Sequence, residues 1–264
     1  MEDREMTIPR ALVRRPSPRL PEGLVTHIDR SPVDLDLAVR QWEGYAAALQ
    51  DAGWTTVEVE PAEDCPDSVF VEDTVVVYGS VAVLANPGAP ERRPEVAGTA
   101  EVLEEHGYTL VEIEAPGTLD GGDVLKHGGT VWVGVGGRTD VEGASQLRAH
   151  LEPLGADVRT VPQTRVLHLK SAVTALPDGT VVGHEPLVQD PSVWGERFLA
   201  VPEESGAHVV LLGGDRVLMA ADAPRSARRF RERGLEVVEV DISEFEKLEG
   251  CVTCLSVRLR SLPG

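Results

Sequence analysis

The chain has 264 residues, of which 44 are acidic and 25 are basic, so its formal net charge is −19. This charge argues against nucleic acid as a partner, because nucleic-acid binding rests on the neutralisation of phosphates. No apolar run approaches the roughly 20 residues of a transmembrane helix, and the N-terminus has no apolar signal core, so we expect a cytoplasmic protein with no membrane partner. The acidic excess either aids solubility alone or steers a cationic substrate, and the sequence leaves both open.

A short unit recurs along the chain: a strand, a glycine-bearing turn, a second strand, a helix and a third strand. Four turns lie between β-branched or aliphatic runs and predict hairpins: Tyr78-Gly79-Ser80, His127-Gly128-Gly129, Pro177-Asp178-Gly179 and Gly213-Gly214-Asp215. A helix is expected after each hairpin, beginning near Pro94, Thr139 (as N-cap), Pro191 and Pro224 respectively.

The third strand is predicted for some units but not for all. The runs TLVEI, DVRTV and LEVVEV close the first, second and fourth units, whereas the third would have to share the run VVLL at 209–212 with the fourth. A fifth unit needs both chain ends: strands Thr253–Leu259 and Ala11–Arg14, helix Asp34–Asp51 and strand Trp54–Glu60. Units completed by both termini predict an α/β fold that closes as a five-fold pseudosymmetric α/β-propeller of ββαβ units, with 1–264 as a single domain. An open α/β fold with coincidental hairpins is the alternative.

The run PDSVFVED at 66–73 places Asp67, Glu72 and Asp73 around an apolar core, just before a predicted strand. Carboxylates beside apolar side chains are costly to desolvate unless a cation compensates them. A guanidinium is the best geometric match, because its planar fork meets carboxylates bidentately. Because adjacent residues of a regular strand point to opposite faces, Glu72 and Asp73 can both contact one ligand only if the backbone there is irregular.

Three further residues lie where the ring would bring them beside these acids. Cys254 can be a nucleophile if its pKa is lowered or a base is near, but it can also be core packing, or pair with Cys251 as a Cys-x-x-Cys redox or metal site. His168, between two leucines, is a general base or a satisfied core histidine. Asp120 either belongs to a plain turn or orients the histidine as the third member of a triad.

Two arginines are candidates for binding a carboxylate. Arg92 is the first of the two arginines that end the Pro/Gly-rich segment at 86–93, and Arg138 follows the pair Gly136-Gly137. Each is either part of a solvated basic turn or part of a clamp for a substrate carboxylate.

At these residues the sequence resembles the dimethylarginine dimethylaminohydrolase family of the guanidino-modifying (pentein) superfamily. Six motifs carry the resemblance, in the family's order and spacing: PDSVFVED at 66–73, PGAPERR at 87–93, LDGGDVL at 119–125, GGRT at 136–139, LHLKS at 167–171 and GCVTCLS at 250–256. The resemblance implies a five-fold α/β-propeller and hydrolysis of Nω-methylated arginines, through a covalent thiouronium, to citrulline and a methylamine. It implies no metal and no organic cofactor.

The resemblance also implies residue roles. Cys254 matches the nucleophile, His168 the general acid/base and Asp120 the carboxylate behind it. The matches for substrate binding are Asp67, Glu72 and Asp73 as the substrate-holding acids, with Asp73 on the guanidinium; Arg92 and Arg138 at the α-carboxylate; and Leu248 and Glu249 at the α-amino group. The family's entrance lid falls near Leu20 to Asp29.

Other functions remain as alternatives. An arginine or agmatine deiminase would use similar chemistry, but the short chain disfavours the first and two carboxylate-binding arginines disfavour the second. A non-catalytic binder of guanidino amino acids is the third alternative. The expected partner is a small-molecule substrate, and a homodimer is compatible with the sequence.

Overall fold

A computed structural model describes residues 8–260. The first elements in this range are a strand and a long helix. In chain order the helices and longer strands are β1 (Arg10–Val13), α1 (Leu35–Asp51), β2 (Thr55–Glu58), β3 (Val75–Tyr78), β4 (Val81–Leu84), α2 (Val96–Glu105), β5 (Thr109–Glu112), β6 (Val124–His127), β7 (Thr130–Val135), α3 (Val141–Leu151) and β8 (Asp157–Pro162). The second half contains α4 (Leu169–Ala172), β9 (Val173–Ala175), β10 (Val181–Gly183), β11 (Phe198–Ala200), β12 (Val210–Gly213), β13 (Arg216–Ala220), α5 (Pro224–Glu232), β14 (Glu236–Val240), α6 (Ser243–Glu246) and β15 (Val257–Leu259).

The strands between residues 8 and 260 form five three-stranded sheets, ordered β15-β1-β2, β3-β4-β5, β6-β7-β8, β9-β10-β11 and β12-β13-β14. In each sheet the first two strands pair antiparallel and the last two pair parallel. All four predicted hairpins are confirmed. The predicted single domain of 1–264 includes residues 1–7 and 261–264, which lie outside the described residues.

Apolar side chains on both faces of the sheets close the ring. Successive residues of a strand point to opposite faces, so Val75 and Val76 in β3 enter different cores. Val75 packs with β15, and Val76 packs with β6 and β7. Further clusters join the sheet of β6 to the sheet of β9, the sheet of β9 to the sheet of β12, and the sheet of β12 to the sheet built from both chain ends. The first strand of every sheet lines one cavity on the axis, which we call the central cavity. The predicted five-fold α/β-propeller is therefore confirmed.

The third unit departs from the prediction in two ways. An α-helix was expected to begin at Pro191, but that segment forms short 3₁₀ turns, including Pro191–Val193 and Gly195–Arg197. Prolines cannot donate to a helix ladder, and Gly195 adopts a positive φ of 53°, so a longer helix is interrupted there. The strand that closes the unit is β11, which pairs with β10. The expectation that VVLL serves both units was wrong, because this run contributes only to β12, in the fourth unit.

Two predicted helix starts were also wrong. Pro94 lies inside a 3₁₀ helix, Pro90–Glu95, and α2 begins after it. The N-cap of α3 is Asp140, whose carboxylate accepts a hydrogen bond from the Gly143 amide, while Thr139 donates its hydroxyl to Asp123. Pro224 does begin α5. The helices between residues 8 and 260 include none that is both long and apolar enough to span a bilayer.

Candidate active site

The segments that precede the first strands of four sheets meet at one end of the ring. They enclose a small cavity, which we call the site cavity. Of the ten side chains predicted to act in catalysis or binding, eight line it: Asp67, Asp73, Arg92, Arg138, His168, Leu248, Glu249 and Cys254. Asp120 lies behind it, and Glu72 lies elsewhere. The ring thus brings together residues that are up to 187 positions apart, from Asp67 to Cys254.

Asp73 is held in the wall of the site cavity by a 3₁₀ helix, Val71–Thr74, that ends where β3 begins. One carboxylate oxygen accepts a hydrogen bond from the Gly122 amide at 2.9 Å, and the other accepts one from Nη1 of Arg92 at 2.6 Å. Burial alone would raise the pKa of Asp73. The positive charges of His168 and Arg92 outweigh burial and hold that pKa at about 2, so the group stays a carboxylate.

Glu72 points away from the site cavity. One of its oxygens binds Nζ of Lys170 at 2.6 Å and Nη2 of Arg258 at 2.5 Å, and the side chain lines the central cavity. Neighbouring residues of a 3₁₀ helix are separated by roughly 120° around its axis, because there are three residues per turn. The irregular backbone predicted for this segment is present, but it separates Glu72 from Asp73 rather than bringing both to one ligand.

His168 lies between two carboxylates. Its Nε2 is 3.0 Å from Oδ2 of Asp120, and its Nδ1 is 3.7 Å from Oδ1 of Asp73. Asp120 is held in turn by the Gly88 amide at 2.9 Å. Burial would lower the pKa of His168, but Asp73 and the hydrogen bond to Asp120 raise it to about 9. At neutral pH the ring is therefore an imidazolium that can release a proton into the site cavity.

Cys254 lies in a turn that precedes β15, so it does not begin the strand as predicted. Its Sγ is 3.3 Å from Sγ of Cys251, which also contacts Oγ1 of Thr253 at 3.2 Å. This contact lowers the pKa of Cys251 to about 5 against the effect of burial, and the same contact, together with burial, raises the pKa of Cys254. The contact between the sulfurs therefore favours ionisation of Cys251 over ionisation of Cys254.

The two arginines differ in how many of their donors are free. Arg92 is buried and donates to Asp73, to both oxygens of Glu95 and to the carbonyls of Asp67 and Phe70. Nη1 of Arg138 is buried, has no hydrogen-bond partner among residues 8–260, and lies 4.0 Å from Oδ2 of Asp120. Arg138 therefore presents the open cationic group, whereas Arg92 is already paired with carboxylates.

The segment predicted as a lid, Leu20 to Asp29, lies over the site cavity and is held by two of the predicted binding residues. Both oxygens of Asp67 accept from the Leu24 amide at 3.1 Å. Glu249 accepts from the amides of Thr26 and His27. Glu249 has a φ of 60°, in the left-handed region, which turns its side chain toward this segment. Leu24 and Leu248 complete an apolar contact surface in the cavity.

Several residues that support the site were not predicted. Glu95 fixes Arg92, and Asp123 accepts hydrogen bonds from the Leu169 amide at 2.9 Å and from Thr139 at 2.7 Å, which positions the segment after His168. Burial raises the pKa of Asp123 to about 6. The signal for Asp123 was the second aspartate of LDGGD, whereas Glu95 carries no sequence signal beyond its place three residues after Arg92.

The site also has donor atoms that suit a metal ion. Asp73, Asp120 and His168 each place one donor atom within 4.8 Å of the others. Both oxygens of Asp73 and the Nε2 of His168 already have partners, so this arrangement is explained by the hydrogen bonds within the site.

Comparison with known proteins supports one family. A sequence model of the arginine deiminase family matches residues 47–194. The chain is 64% identical to N(G),N(G)-dimethylarginine dimethylaminohydrolase from Streptomyces coelicolor over 96% of this chain and 98% of the relative. It is 35% identical to the enzyme of the same name from Pseudomonas aeruginosa, over 94% and 98% of the two chains.

The fold matches solved structures of the same enzyme. A cysteine-to-serine variant from Pseudomonas aeruginosa in complex with citrulline has a TM-score of 0.89 and 33% identity, over 95% of this chain and 98% of that one. A histidine-to-glycine variant bearing an S-methyl-L-thiocitrulline adduct has a TM-score of 0.89 and 32% identity, over 96% and 100% of the two chains. The chain belongs to the dimethylarginine dimethylaminohydrolase family.

Proposed function

We propose that this chain hydrolyses Nω-methylated arginines to citrulline and a methylamine through a covalent intermediate on Cys254. The observation that carries the proposal is that Cys254, His168 and Asp73 line one buried cavity in a chain that is 64% identical to a dimethylarginine dimethylaminohydrolase. A thiol, an imidazolium and a carboxylate supply what the reaction needs: a nucleophile, a proton donor and a group that holds the cationic guanidinium.

The guanidinium of the substrate binds beside Asp73, whose low pKa keeps it anionic. Arg92 Nη1 donates to Asp73, so the substrate cation replaces Nη1 at this carboxylate, and Arg92 turns Nη1 toward the α-carboxylate. Arg138 completes the carboxylate site with its Nη1, which has no hydrogen-bond partner among residues 8–260. Leu248 and Glu249 lie beside the α-amino group, under the segment that Glu249 and Asp67 hold in place.

The reaction proceeds in two stages. The Cys254 thiolate adds to the guanidinium carbon, and His168 donates its proton to the methylamine nitrogen, so that the C–N bond breaks and a thiouronium remains on sulfur. The neutral His168 then takes a proton from water, whose oxygen attacks the same carbon. Breaking the C–S bond, with loss of the remaining hydroxyl proton to solvent, releases citrulline and restores the thiolate and the imidazolium. Asp120 keeps His168 oriented and stabilises its charged form.

Substrate binding also prepares the nucleophile. In the free protein Cys251 and the nearby carboxylates raise the pKa of Cys254. A bound guanidinium lies between Asp73 and the sulfur and compensates the negative charge of the carboxylate. The pKa of Cys254 therefore falls when substrate binds, because an opposite charge favours the ionised thiol.

The test is a citrulline assay with dimethylarginine, arginine and agmatine as separate substrates. We expect citrulline from dimethylarginine in the wild type, none with Cys254→Ser, and wild-type activity with Cys65→Ser, since Cys65 lies outside the site cavity. Citrulline formation by the Cys254→Ser protein would refute the role of this thiol. Faster turnover of arginine, or turnover of agmatine, would instead indicate a deiminase, and tight binding without turnover would indicate a binder.

A further inference from the structure

Cys251 has no part in the proposed reaction, yet it touches the thiol that does. All three cysteines of the chain are free and buried. Cys251 and Cys254 lie in one turn, in which the Cys254 amide donates to the Cys251 carbonyl at 3.0 Å, and their sulfurs are 3.3 Å apart. A thiol that packed only as a small apolar group would not need to face the nucleophile.

We propose that Cys251 and Cys254 are a site of reversible oxidation, at which a peroxide converts the two thiols to a disulfide and so removes the nucleophile. The loss of activity rests on the proposed function, whereas the formation of the disulfide rests only on the contact between the sulfurs.

The geometry suits a disulfide with little backbone movement. The sulfurs must approach from 3.3 Å to roughly 2.05 Å, the S–S bond length, and both cysteines belong to one turn. Cys254 lines the site cavity, so a small peroxide can reach the pair by the route that a substrate takes. Among residues 8–260, the group whose donor atoms suit a metal ion contains neither cysteine, which favours a disulfide over a metal centre for this Cys-x-x-Cys pair.

The chemistry balances with hydrogen peroxide as the oxidant. The thiolate of the pair attacks one peroxide oxygen, an S–O bond forms, the O–O bond breaks, and the departing hydroxide takes up a proton as water. The second sulfur attacks the resulting sulfenic acid, an S–S bond forms, the S–O bond breaks, and the hydroxide leaves with the proton of the second thiol as water. Two thiols are oxidised, and one peroxide is reduced to two waters.

The charge on the pair supports the first step. The contact with Cys254, the neighbouring His208 and Thr253 lower the pKa of Cys251 to about 5. The lowered pKa favours the thiolate at this sulfur, and thiolates are the form that peroxides oxidise.

The experiment treats the intact protein with hydrogen peroxide and then counts thiols under denaturing conditions with a maleimide reagent. The wild type should fall from three free thiols to one, with the loss of the mass of two hydrogen atoms. Dithiothreitol should restore both thiols and the citrulline activity. Cys65→Ser is the matched control, and it should fall from two thiols to none and recover in the same way.

Cys251→Ser removes one thiol of the pair and should behave differently. Its Cys254 has no partner, so oxidation continues to sulfinic acid, the mass rises by oxygen atoms, and dithiothreitol does not restore activity. Cys251→Ala tests whether the result is specific to serine, and circular dichroism checks that both variants are folded. Recovery of activity in Cys251→Ser to the wild-type extent, or gain of oxygen without disulfide in the wild type, would overturn the proposal. Because thiol count and mass do not depend on turnover, a chain that makes no citrulline but forms the disulfide would refute only the proposed function.

Discussion

Asp120→Asn tests how the buried imidazolium of His168 is maintained. The substitution keeps the size of the side chain and its carbonyl oxygen, which can still accept from the Gly88 amide. It removes the negative charge 3.0 Å from Nε2 of His168. We therefore expect the pKa of His168 to fall from about 9 while the ring stays in place.

The size of the change follows from the contact. A hydrogen bond between charged groups contributes roughly 1.5–3 kcal/mol, and one pKa unit corresponds to about 1.4 kcal/mol, so the loss amounts to roughly one to two units. The full Coulomb interaction at about 4 Å and an effective dielectric constant of about 20 sets an upper bound of about 4 kcal/mol. With a pKa of about 7.5, the protonated fraction of His168 at about pH 8.5 falls from roughly three quarters to roughly a tenth. Citrulline formation at that pH should then fall roughly eightfold, because the proposed reaction uses His168 as the proton donor.

The assay combines an NMR titration of the His168 ring with citrulline rates as a function of pH. The control is Asp140→Asn, which makes the same substitution at the N-cap of α3, where asparagine caps equally well. The control should leave unchanged both the pKa of His168 and the fall of the citrulline rate at alkaline pH. An unchanged His168 pKa in Asp120→Asn would refute the assignment of Asp120 as the group that stabilises the imidazolium.

Other expected outcomes follow from contacts at and away from the site. Gly122→Ala would put a Cβ 2.5 Å from Oδ1 of Asp73 and 2.6 Å from Nδ1 of His168, so the citrulline rate should fall on the order of 100-fold. The matched change Gly44→Ala in α1 places its Cβ in open space. It should raise the free energy of unfolding, measured in urea, by about 0.5–1 kcal/mol. Phe230→Ala empties a fully buried position of α5 and should lower that free energy by about 3–5 kcal/mol. The pKa of His168 is raised from 6.5 to about 9, which stabilises the fold by on the order of 3 kcal/mol. This stabilisation is complete below about pH 6.5 and should disappear as the pH rises through 9. Urea titrations of unfolding at several pH values measure the change.

The ring could be predicted from the sequence because the turns that separate its strands depend on local sequence. Glycine turns such as Tyr78-Gly79-Ser80 and the β-branched runs around them determine hairpins by short-range rules, and the ring then follows from repetition. The third unit was mispredicted because its segment between β10 and β11 has proline and glycine where the others have helix formers, and three-residue strands such as β11 give too short a pattern. The start of α3 was misplaced by one residue, since Thr139 and Asp140 are both good caps and only tertiary contact with Asp123 separates them.

The candidate residues were found more easily than their pairings. Motif order identified His168 and Cys254, but the contact between Cys251 and Cys254 depends on a turn whose geometry the sequence does not specify. The state of Arg92 is likewise a tertiary property. From sequence alone, an arginine in a loop is expected to have no carboxylate partner. The fold places Asp73 and Glu95 within hydrogen-bond distance of Arg92.

Glu72 and Asp73 show why an irregular backbone was necessary but not sufficient for the predicted acid pair. A regular strand would have pointed them to opposite faces of the sheet, and the 3₁₀ helix before β3 also separates them, by about a third of a turn. Asp73 consequently meets the cations of the site cavity, and Glu72 meets Lys170 and Arg258 in the central cavity. Since both sets of contacts are buried ion pairs, rotating either carboxylate to the other side would leave charges unpaired at a cost of several kcal/mol. The two acids therefore lie on different sides, and of the two only Asp73 faces the site cavity.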